Sequence, residues 1–281
     1  MILNYTDVDI YQDDQLVLEK VNFSVEEGEM VYLTGPVGSG KSSLLKTIYG
    51  ELPVEGGKAE VLGFNMGRFK TKHQPALRKQ MGIVFQDFQL LRDRTVHRNL
   101  DFVLRSTGWK KKAERESRIV EVLEMVKLAD KKDKFIYELS GGEQQRICIA
   151  RAILNNPKVI LADEPTGNLD AENGELILAL LDEIRRQNHT AIILSTHNMQ
   201  WPEYFPGTVY RCEDQKLVTD NKEVAVQVNG KVRARFVVPS DINDEDLYEE
   251  ALKQENVIKY LEGNEVKKHF VIKGKVVNIV I

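Results

Sequence analysis

The stretch GPVGSGKS, residues 35 to 42, constrains the fold more than any other part of this 281-residue chain. It has the form G-x-x-x-x-G-K-[ST], follows the apolar stretch MVYLT and opens an apolar helical pattern, SLLKTIYG. In this context the glycines let backbone N–H groups curl around phosphates. We expect Lys41 to reach the β and γ phosphates of a nucleotide and Ser42 to offer its hydroxyl to Mg²⁺. The predicted ATP-binding residues of this segment are Gly35, Pro36, Val37, Gly38, Ser39, Gly40, Lys41, Ser42 and Ser43.

Alternating strands and helices around this loop predict an α/β fold. In residues 1 to 85 the stretches VNFSV, MVYLTG, AEVLGF and GIVFQ are bounded by glycines and acidic turns, as strands are. From residue 139 to 197 the stretches VILAD and AIILST are nearly continuous apolar runs. Such runs are typical of central parallel strands that are covered on both faces. Gly50 is expected to end the helix that follows the loop.

A helical layer is expected between these two parts, over about residues 87 to 150. In ERESRIVEVLEMVKLAD the apolar residues Ile119, Val122, Leu123 and Val126 recur at helical spacing, with charges elsewhere. The sequence therefore predicts an inserted helical subdomain.

Two carboxylates stand at the end of one predicted central strand, in VILADEPTGNLD. Taken alone, Asp163 and Glu164 are equally compatible with ordinary loop surface. Together with Lys41 they favour a phosphoryl-transfer site, where Asp163 reaches Mg²⁺ and Glu164 orients and deprotonates the attacking water.

Three further side chains are candidates for the same site. Gln86 follows IVF and His197 follows AIILST, so both stand at the carboxyl ends of predicted parallel strands, where ligands bind in such sheets. We expect both to face the γ-phosphate, with Glu164, His197 and Gln86 as the catalytic set. Tyr11 is a candidate for stacking on adenine, with core packing as the alternative. The predicted metal ligands are Ser42, Gln86 and Asp163.

The stretch LSGGEQQR, residues 139 to 146, places a serine and two glycines at the head of a second helical pattern. Free N–H groups and the positive end of a helix favour an anion there. The chain thus carries two phosphate-type sites.

The order of these motifs resembles the nucleotide-binding subunits of ABC transporters from residue 1 to about 220. The resemblance rests on the phosphate loop, Gln86, LSGGEQQR, DEP, NLD and STH. It implies a P-loop NTPase core of ABC type with antiparallel β and helical subdomains, ATP and Mg²⁺ as cofactors, and ATP hydrolysis. It also implies a homodimer on ATP binding, in which Ser140, Gly141 and Gly142 cap the nucleotide of the other copy and Asp170 couples the two sites.

Within that family, VFQDFQLLRDRTV and DEPTGNLD resemble the subgroup of FtsE cell-division, LolD lipoprotein-releasing and MacB ATPases. FPGTVYRCEDQKLV favours FtsE. This implies an integral, FtsX-like membrane partner, with lipoprotein release or efflux as the alternative role. Asn198 stands where the family commonly has Asp, which should leave hydrolysis intact. Arg92 and His97 replace a commoner Pro and aromatic near the partner groove, which leaves the partner's identity open.

Composition and charge agree with this interpretation. The formal net charge is −4 and the pI about 5.9, so no global field attracts nucleic acid. Cys148 and Cys212 lack metal-type spacing and are expected to be structural thiols. The N-terminus has no leader pattern, and no apolar run approaches the roughly 20 residues of a spanning helix. We expect a cytoplasmic protein that is peripheral on the inner face of the plasma membrane through its partner.

A break near KLVTDNKEV separates residues 1–221 from a predicted small α+β domain at 222–281. The latter begins with two strands around Asn229-Gly230, a strong hairpin signal. Its stretches VQVNGKVRARFVVP, ENVIKYLEG and KGKVVNIVI resemble the C-terminal domain of bacterial leucyl-tRNA synthetases. The resemblance implies a unit appended by natural or engineered fusion.

Cations on alternate positions of its strands suit phosphate contacts. These are Lys231, Arg233 and Arg235 on one strand, and Lys267, His269, Lys273 and Lys275 towards the end. A solvated face balanced by the acidic helix at 241–250 is the alternative. Binding of tRNA is expected only through this segment, so a nucleotide-regulated RNA-binding protein is the competing function.

Overall fold

The computed structural model describes residues 1–240, 242–261, 264, 266–272 and 274–281. The strands are β1 (Leu3–Gln12), β2 (Gln15–Val25), β3 (Met30–Thr34), β4 (Lys58–Val61), β5 (Phe64–Asn65), β6 (Met81–Val84), β7 (Val159–Ala162), β8 (Ala191–Ser195), β9 (Thr208–Glu213), β10 (Lys216–Val228), β11 (Lys231–Pro239), β12 (Lys268–Ile272) and β13 (Val276–Val280). The α-helices are α1 (Lys41–Ile48), α2 (Gln74–Arg78), α3 (Val96–Ser106), α4 (Lys112–Met125), α5 (Gly141–Ile153), α6 (Ala171–Asn188), α7 (Trp201–Tyr204), α8 (Asp244–Leu252) and α9 (Glu255–Leu261). Short 3-10 turns lie at Met66–Arg68, Thr71–His73, Ala129–Lys131 and Ile136–Glu138.

These strands form two sheets. The first is antiparallel, in the order β2-β1-β4-β5. The second runs in the order β12-β13-β10-β9-β3-β8-β7-β6, with β11 also paired to β10. Its strands β3, β8, β7 and β6 are parallel, and the two nearly continuous apolar runs form β7 and β8, which are buried along their whole length. The α/β fold class predicted from the sequence is confirmed.

The parallel part of the larger sheet is covered on both faces. One face packs against the helical layer, where Ile119, Val122, Leu123 and Val126 are all buried, as their spacing predicts. The other face packs against the antiparallel sheet and α1. Because both faces are covered, the carboxyl ends of the parallel strands are the edge at which polar side chains can meet a ligand.

The predicted elements of the C-terminal segment are present. β10 and β11 turn at Asn229-Gly230, where both residues adopt left-handed backbone angles, φ 50° and 77°. Glycine takes such an angle without strain, which is why this pair is a strong hairpin signal. The two helices and the last two strands follow, and Val224, Val226, Leu247 and Val257 lie in their common core.

A strand runs through the predicted boundary between the two domains. The segment KLVTDNKEV lies inside β10 rather than in a linker. The first half of this strand pairs with β9, and its second half pairs with β11 and, in parallel, with β13. Asp220 and Asn221 are turn-forming residues, but strand pairing on both sides overrides that preference. The division into residues 1–221 and 222–281 stays a prediction.

Buried charges also join the two parts. The Lys275 ammonium donates to the Ser24 carbonyl at 2.7 Å and lies 3.2 Å from the carboxylate of Glu29, which is 1% exposed. Glu223 lies 3.2 Å from both Arg185 and Arg235. Burial raises the pKa of Glu223 to about 7, against the opposing effect of the two guanidinium groups. These contacts bind the C-terminal segment to the α/β part.

The predicted row of free cations is therefore wrong in part. Arg235 and Lys275 face carboxylates of the protein, and His269 stacks on Tyr248 with ring centroids 3.6 Å apart. Lys273 lies outside the described residues. The alternation of charges along a strand identifies a face, but other parts of the chain contact Arg235 and Lys275 on this one, while Lys231 and Lys267 are exposed.

Two smaller expectations concern thiols and membranes. Cys148 and Cys212 are free and buried, as expected of structural thiols, and burial raises the pKa of the Cys212 thiol to about 11. Across the described residues, no helix has both the length and the apolar character that a bilayer crossing needs.

Candidate active site

The phosphate loop joins β3 to α1 and needs glycine at its last turn. Gly40 has a φ of 100°, and a Cβ there would lie 2.7 Å from Val17 Cγ1. The buried Lys41 begins α1, and its ammonium donates to the carbonyls of Gly35 and Pro36 at 2.8 Å each. The loop thus holds one cation among backbone groups at the start of a helix, which is the arrangement that binds phosphates.

The two carboxylates meet this loop from the end of β7. Asp163 Oδ1 accepts hydrogen bonds from Ser42 Oγ at 3.1 Å and from Ser195 Oγ at 2.6 Å. Glu164 Oε1 lies 2.5 Å from His197 Nε2, and its other oxygen lies 3.5 Å from Gln86 Nε2. The structure therefore brings together the residues that the sequence predicts for phosphoryl transfer.

A cavity of about 820 Å³ runs along these groups. That volume lies within the range of small-molecule and nucleotide sites. The residues that line the cavity are Gln12, Asp13, Gln15, Val17, Val37, Gly38, Gly40, Lys41, Ser42, Ser43, Gln86, Glu164 and His197.

Tyr11 is absent from that lining, although its neighbour Gln12 is present and accepts a hydrogen bond from Ser43 Oγ at 2.9 Å. Tyr11 is half-buried in β1, opposite Leu16 of β2. The β1–β2 hairpin is thus placed beside the cavity, while stacking of Tyr11 on adenine stays a prediction.

The oxygen groups at the loop fit Mg²⁺. The Ser42 hydroxyl and the Asp163 carboxylate are close neighbours and are the hard donors that Mg²⁺ prefers, alongside phosphate oxygens. Among the residues that the structure describes, no group of three His, Cys, Asp or Glu side chains forms a metal cage. An ion here would be shared with the phosphates. Gln86, the third predicted ligand, directs its amide nitrogen at Glu164.

The second phosphate-type motif lies apart from this cavity. Ser140 caps α5, since its Oγ accepts the Glu143 N–H at 3.3 Å, and the Glu143 carboxylate accepts the Ser140 N–H at 2.8 Å. Gly141 and Gly142 form the first turn of α5. None of these three residues lines the cavity at the phosphate loop.

Asp170 caps α6 by accepting the Asn173 N–H at 2.9 Å. It lines a neighbouring cavity of about 280 Å³ together with Glu164 and His197. The start of α6 is therefore adjacent to the predicted catalytic residues.

Two polar contacts at the site are not predicted from the sequence. Ser195 ends β8 and hydrogen-bonds to Asp163, and Asn168 Nδ2 donates to the Gln86 carbonyl at 3.0 Å. In the sequence Ser195 is a hydroxyl at the end of an apolar strand, two residues before His197, and its contact with Asp163 follows only from the pairing of β7 with β8.

Replacing Lys41 with alanine is expected to weaken ATP binding by roughly 10- to 100-fold, because a hydrogen bond to a charged group contributes about 1.5–3 kcal/mol. Calorimetric titration of ATP into both proteins measures this effect. Lys46→Ala, on the same helix but paired with the exposed Glu51, is the control and should bind as the unmodified chain does. Equal affinities for Lys41→Ala and the control would contradict the assignment.

Comparisons with known proteins agree with this geometry. The profile of a family described as ABC transporter matches residues 18–167. The chain is 42% identical over 213 residues to the cell division ATP-binding protein FtsE of Streptococcus pneumoniae, which covers 76% of this chain and 92% of that protein. It is 44% identical over 189 residues to FtsE of Escherichia coli, covering 67% of this chain and 84% of that protein.

A solved structure matches as well. It is a dimeric, post-hydrolysis state of the ATP-binding cassette MJ0796 bound to ADP and Pi. The match has a TM-score of 0.68 and 30% identity, and it covers 76% of this chain and 96% of that one.

Proposed function

Because this chain belongs to the ABC transporter family, we propose that it is the ATP-hydrolysing subunit of an FtsE-like membrane complex. Its similarity to FtsE proteins over 84% to 92% of their length carries the proposal. Cell division is the role that this similarity favours; lipoprotein release or efflux is the alternative within the same subgroup.

The contacts at the site support a separate role for each of its residues. Lys41 and the loop N–H groups bind the phosphates. Ser42 and Asp163 would hold Mg²⁺, which supplies charge neutralisation on the β and γ phosphate oxygens when bound. Glu164 accepts a proton from the attacking water, and His197 and Gln86, on its two oxygens, fix the direction of its carboxylate.

We propose further that two copies close around two ATP molecules, with Ser140, Gly141 and Gly142 of each copy capping the nucleotide of the other. The dimeric state of the MJ0796 cassette supports this arrangement. The position of LSGGEQQR outside its own chain's cavity supports it too.

Action in trans predicts complementation. Ser140→Arg should block ATP-dependent dimers without changing the affinity of the single chain for ATP, because the larger side chain would project into the other copy's nucleotide. Mixing it with Lys41→Ala should restore some dimer and activity, since a composite dimer keeps one intact site. Size-exclusion chromatography and ATPase assays of each variant and of the mixture measure this. If the mixture forms no dimer, the result contradicts a nucleotide site that is built from two copies and works without the second site.

The proposed complex includes a membrane partner. We propose an integral, FtsX-like permease, which would hold this chain at the inner face of the plasma membrane. The test is to capture the full chain from detergent-solubilised membranes, identify the copurifying membrane protein and measure the ATPase rate with and without it. A partner that leaves the rate unchanged would contradict coupling.

On sequence resemblance alone, residues 222–281 are proposed to be an appended unit related to the leucyl-tRNA synthetase C-terminal domain. The engagement of Arg235 and Lys275 with carboxylates leaves less cationic surface for a tRNA than the sequence predicts. Added tRNA is therefore expected to leave the ATPase rate unchanged, and an altered rate would favour the RNA-linked function.

A further inference from the structure

Ser195 occupies the end of a central strand between the two carboxylates of the site. It is the last residue of β8, is fully buried and pairs with Leu33 of β3. Its hydroxyl lies beside the end of β7, from which Asp163 and Glu164 emerge. A buried hydroxyl needs hydrogen-bond partners, and the partners of this one are both in the predicted catalytic machinery.

The backbone at Glu164 is strained. Its φ is 46°, in the left-handed region that costs a non-glycine residue about 1–2 kcal/mol. The Glu164 N–H donates to Ser195 Oγ at 2.9 Å, and the Glu164 carbonyl accepts the Gly167 N–H at 3.0 Å. Strained residues persist where their surroundings hold them, so the Ser195 hydroxyl is one of the groups that keep Glu164 in this conformation.

The same hydroxyl also fixes the other carboxylate. Since its oxygen accepts from the Glu164 N–H, its single proton is free for Asp163 Oδ1, which lies 2.6 Å away. Hydrogen bonds of that length to a carboxylate are the stronger, charge-assisted kind. One hydroxyl therefore sets the backbone of Glu164 and the side chain of Asp163.

The strand end acts on Glu164 at two places. Ser195 binds its backbone N–H, and His197, two residues further on, contacts its carboxylate. Apolar packing alone would hold β8 in the sheet but would leave the Glu164 N–H without this acceptor.

We propose that Ser195 is a positioning residue for hydrolysis, which acts through Glu164 and Asp163 without touching the nucleotide. The inference rests on the proposed function, because it assumes that Glu164 activates the attacking water. A base displaced by about 1 Å can lose on the order of a hundredfold in rate, so a hydroxyl that fixes its backbone has a large effect.

The experiment compares Ser195→Thr with Ser195→Val, a pair of nearly equal shape that differs by the hydroxyl. In single-turnover hydrolysis of ATP, Ser195→Val should be about 10- to 100-fold slower than Ser195→Thr. The dissociation constants of the two variants for ATP should agree within about threefold, because Lys41 and the loop are untouched. Equal rates for the pair would overturn the proposal.

If the extra methyl prevents folding, the comparison is made between Ser195→Ala and the unmodified chain. Ser195→Ala should then be about 10- to 100-fold slower, and equal rates would overturn the proposal.

A second measurement separates positioning from general structural damage. In a Glu164→Gln background, the ratio of the two rates should shrink, because the part of the effect that acts through Glu164 is lost and only the hydrogen bond to Asp163 is left to contribute. An unchanged ratio would overturn the proposal. If the Glu164→Gln chain hydrolyses ATP at the unmodified rate, the proposed function of Glu164 is wrong. This result differs from equal rates for the Ser195 pair, so the two outcomes can be told apart.

Discussion

Replacing Glu164 with glutamine is expected to slow ATP hydrolysis by at least about a hundredfold, because glutamine cannot take a proton from water and a general base contributes roughly 10²- to 10⁴-fold. The substitution keeps the size of the side chain and leaves Lys41 and the loop in place. ATP binding should therefore persist, and two chains should remain joined around unhydrolysed ATP.

Size-exclusion chromatography with and without ATP, together with a phosphate-release assay, measures both effects. Glu183→Gln, an exposed carboxyl on α6 that hydrogen-bonds to Gln187, is the matched control and should behave as the unmodified chain does. A Glu164→Gln chain that hydrolyses ATP at the unmodified rate would contradict the role of Glu164. One that hydrolyses slowly but stays monomeric with ATP would contradict only the ATP-bound dimer.

Replacing Lys275 with methionine is expected to lower the free energy of unfolding by about 3–5 kcal/mol, the usual effect of removing one partner of a buried ion pair. The Glu29 carboxylate would keep the hydrogen bonds from the Thr208 hydroxyl and the Glu26 N–H but would lose its cation. Burial lowers the pKa of Lys275, and nearby Glu29 offsets this and raises it overall, so the amine is charged at neutral pH.

Urea unfolding of the ATP-free protein measures the effect. Lys253→Met removes an exposed ammonium that pairs with Glu250 and should leave the unfolding midpoint unchanged. The double variant Glu29→Gln with Lys275→Met should recover part of the loss, because no buried charge is then left unpaired. A Lys275→Met chain as stable as the unmodified one would contradict the docking of the C-terminal segment.

The sequence predicted the parts of the site whose signals are local. Each predicted part of the site follows an apolar strand, and parallel strands bring their carboxyl ends to one edge of the sheet. These parts are the phosphate loop, Asp163, Glu164, Gln86 and His197. The Asn229-Gly230 hairpin was predictable for the same reason, since two adjacent residues specify it.

Pairing between distant segments was not predictable. Ser195 is an ordinary strand-end hydroxyl until β7 and β8 are placed side by side. The alternating pattern of their strands predicts that Lys275 and Arg235 lie on the surface. In the structure both face carboxylates, because distant parts of the chain pack against that side of the strands. The break expected near KLVTDNKEV is instead part of β10, because β9 pairs with the start of that strand, and β11 and β13 pair with its later residues.

The continuous strand β10 leaves no hinge between the α/β part and the segment beyond it. Bending it near Asn221 would break ladder hydrogen bonds to β9 and to β11, so a relative motion of the two parts at this point would cost strand pairing on both edges of β10.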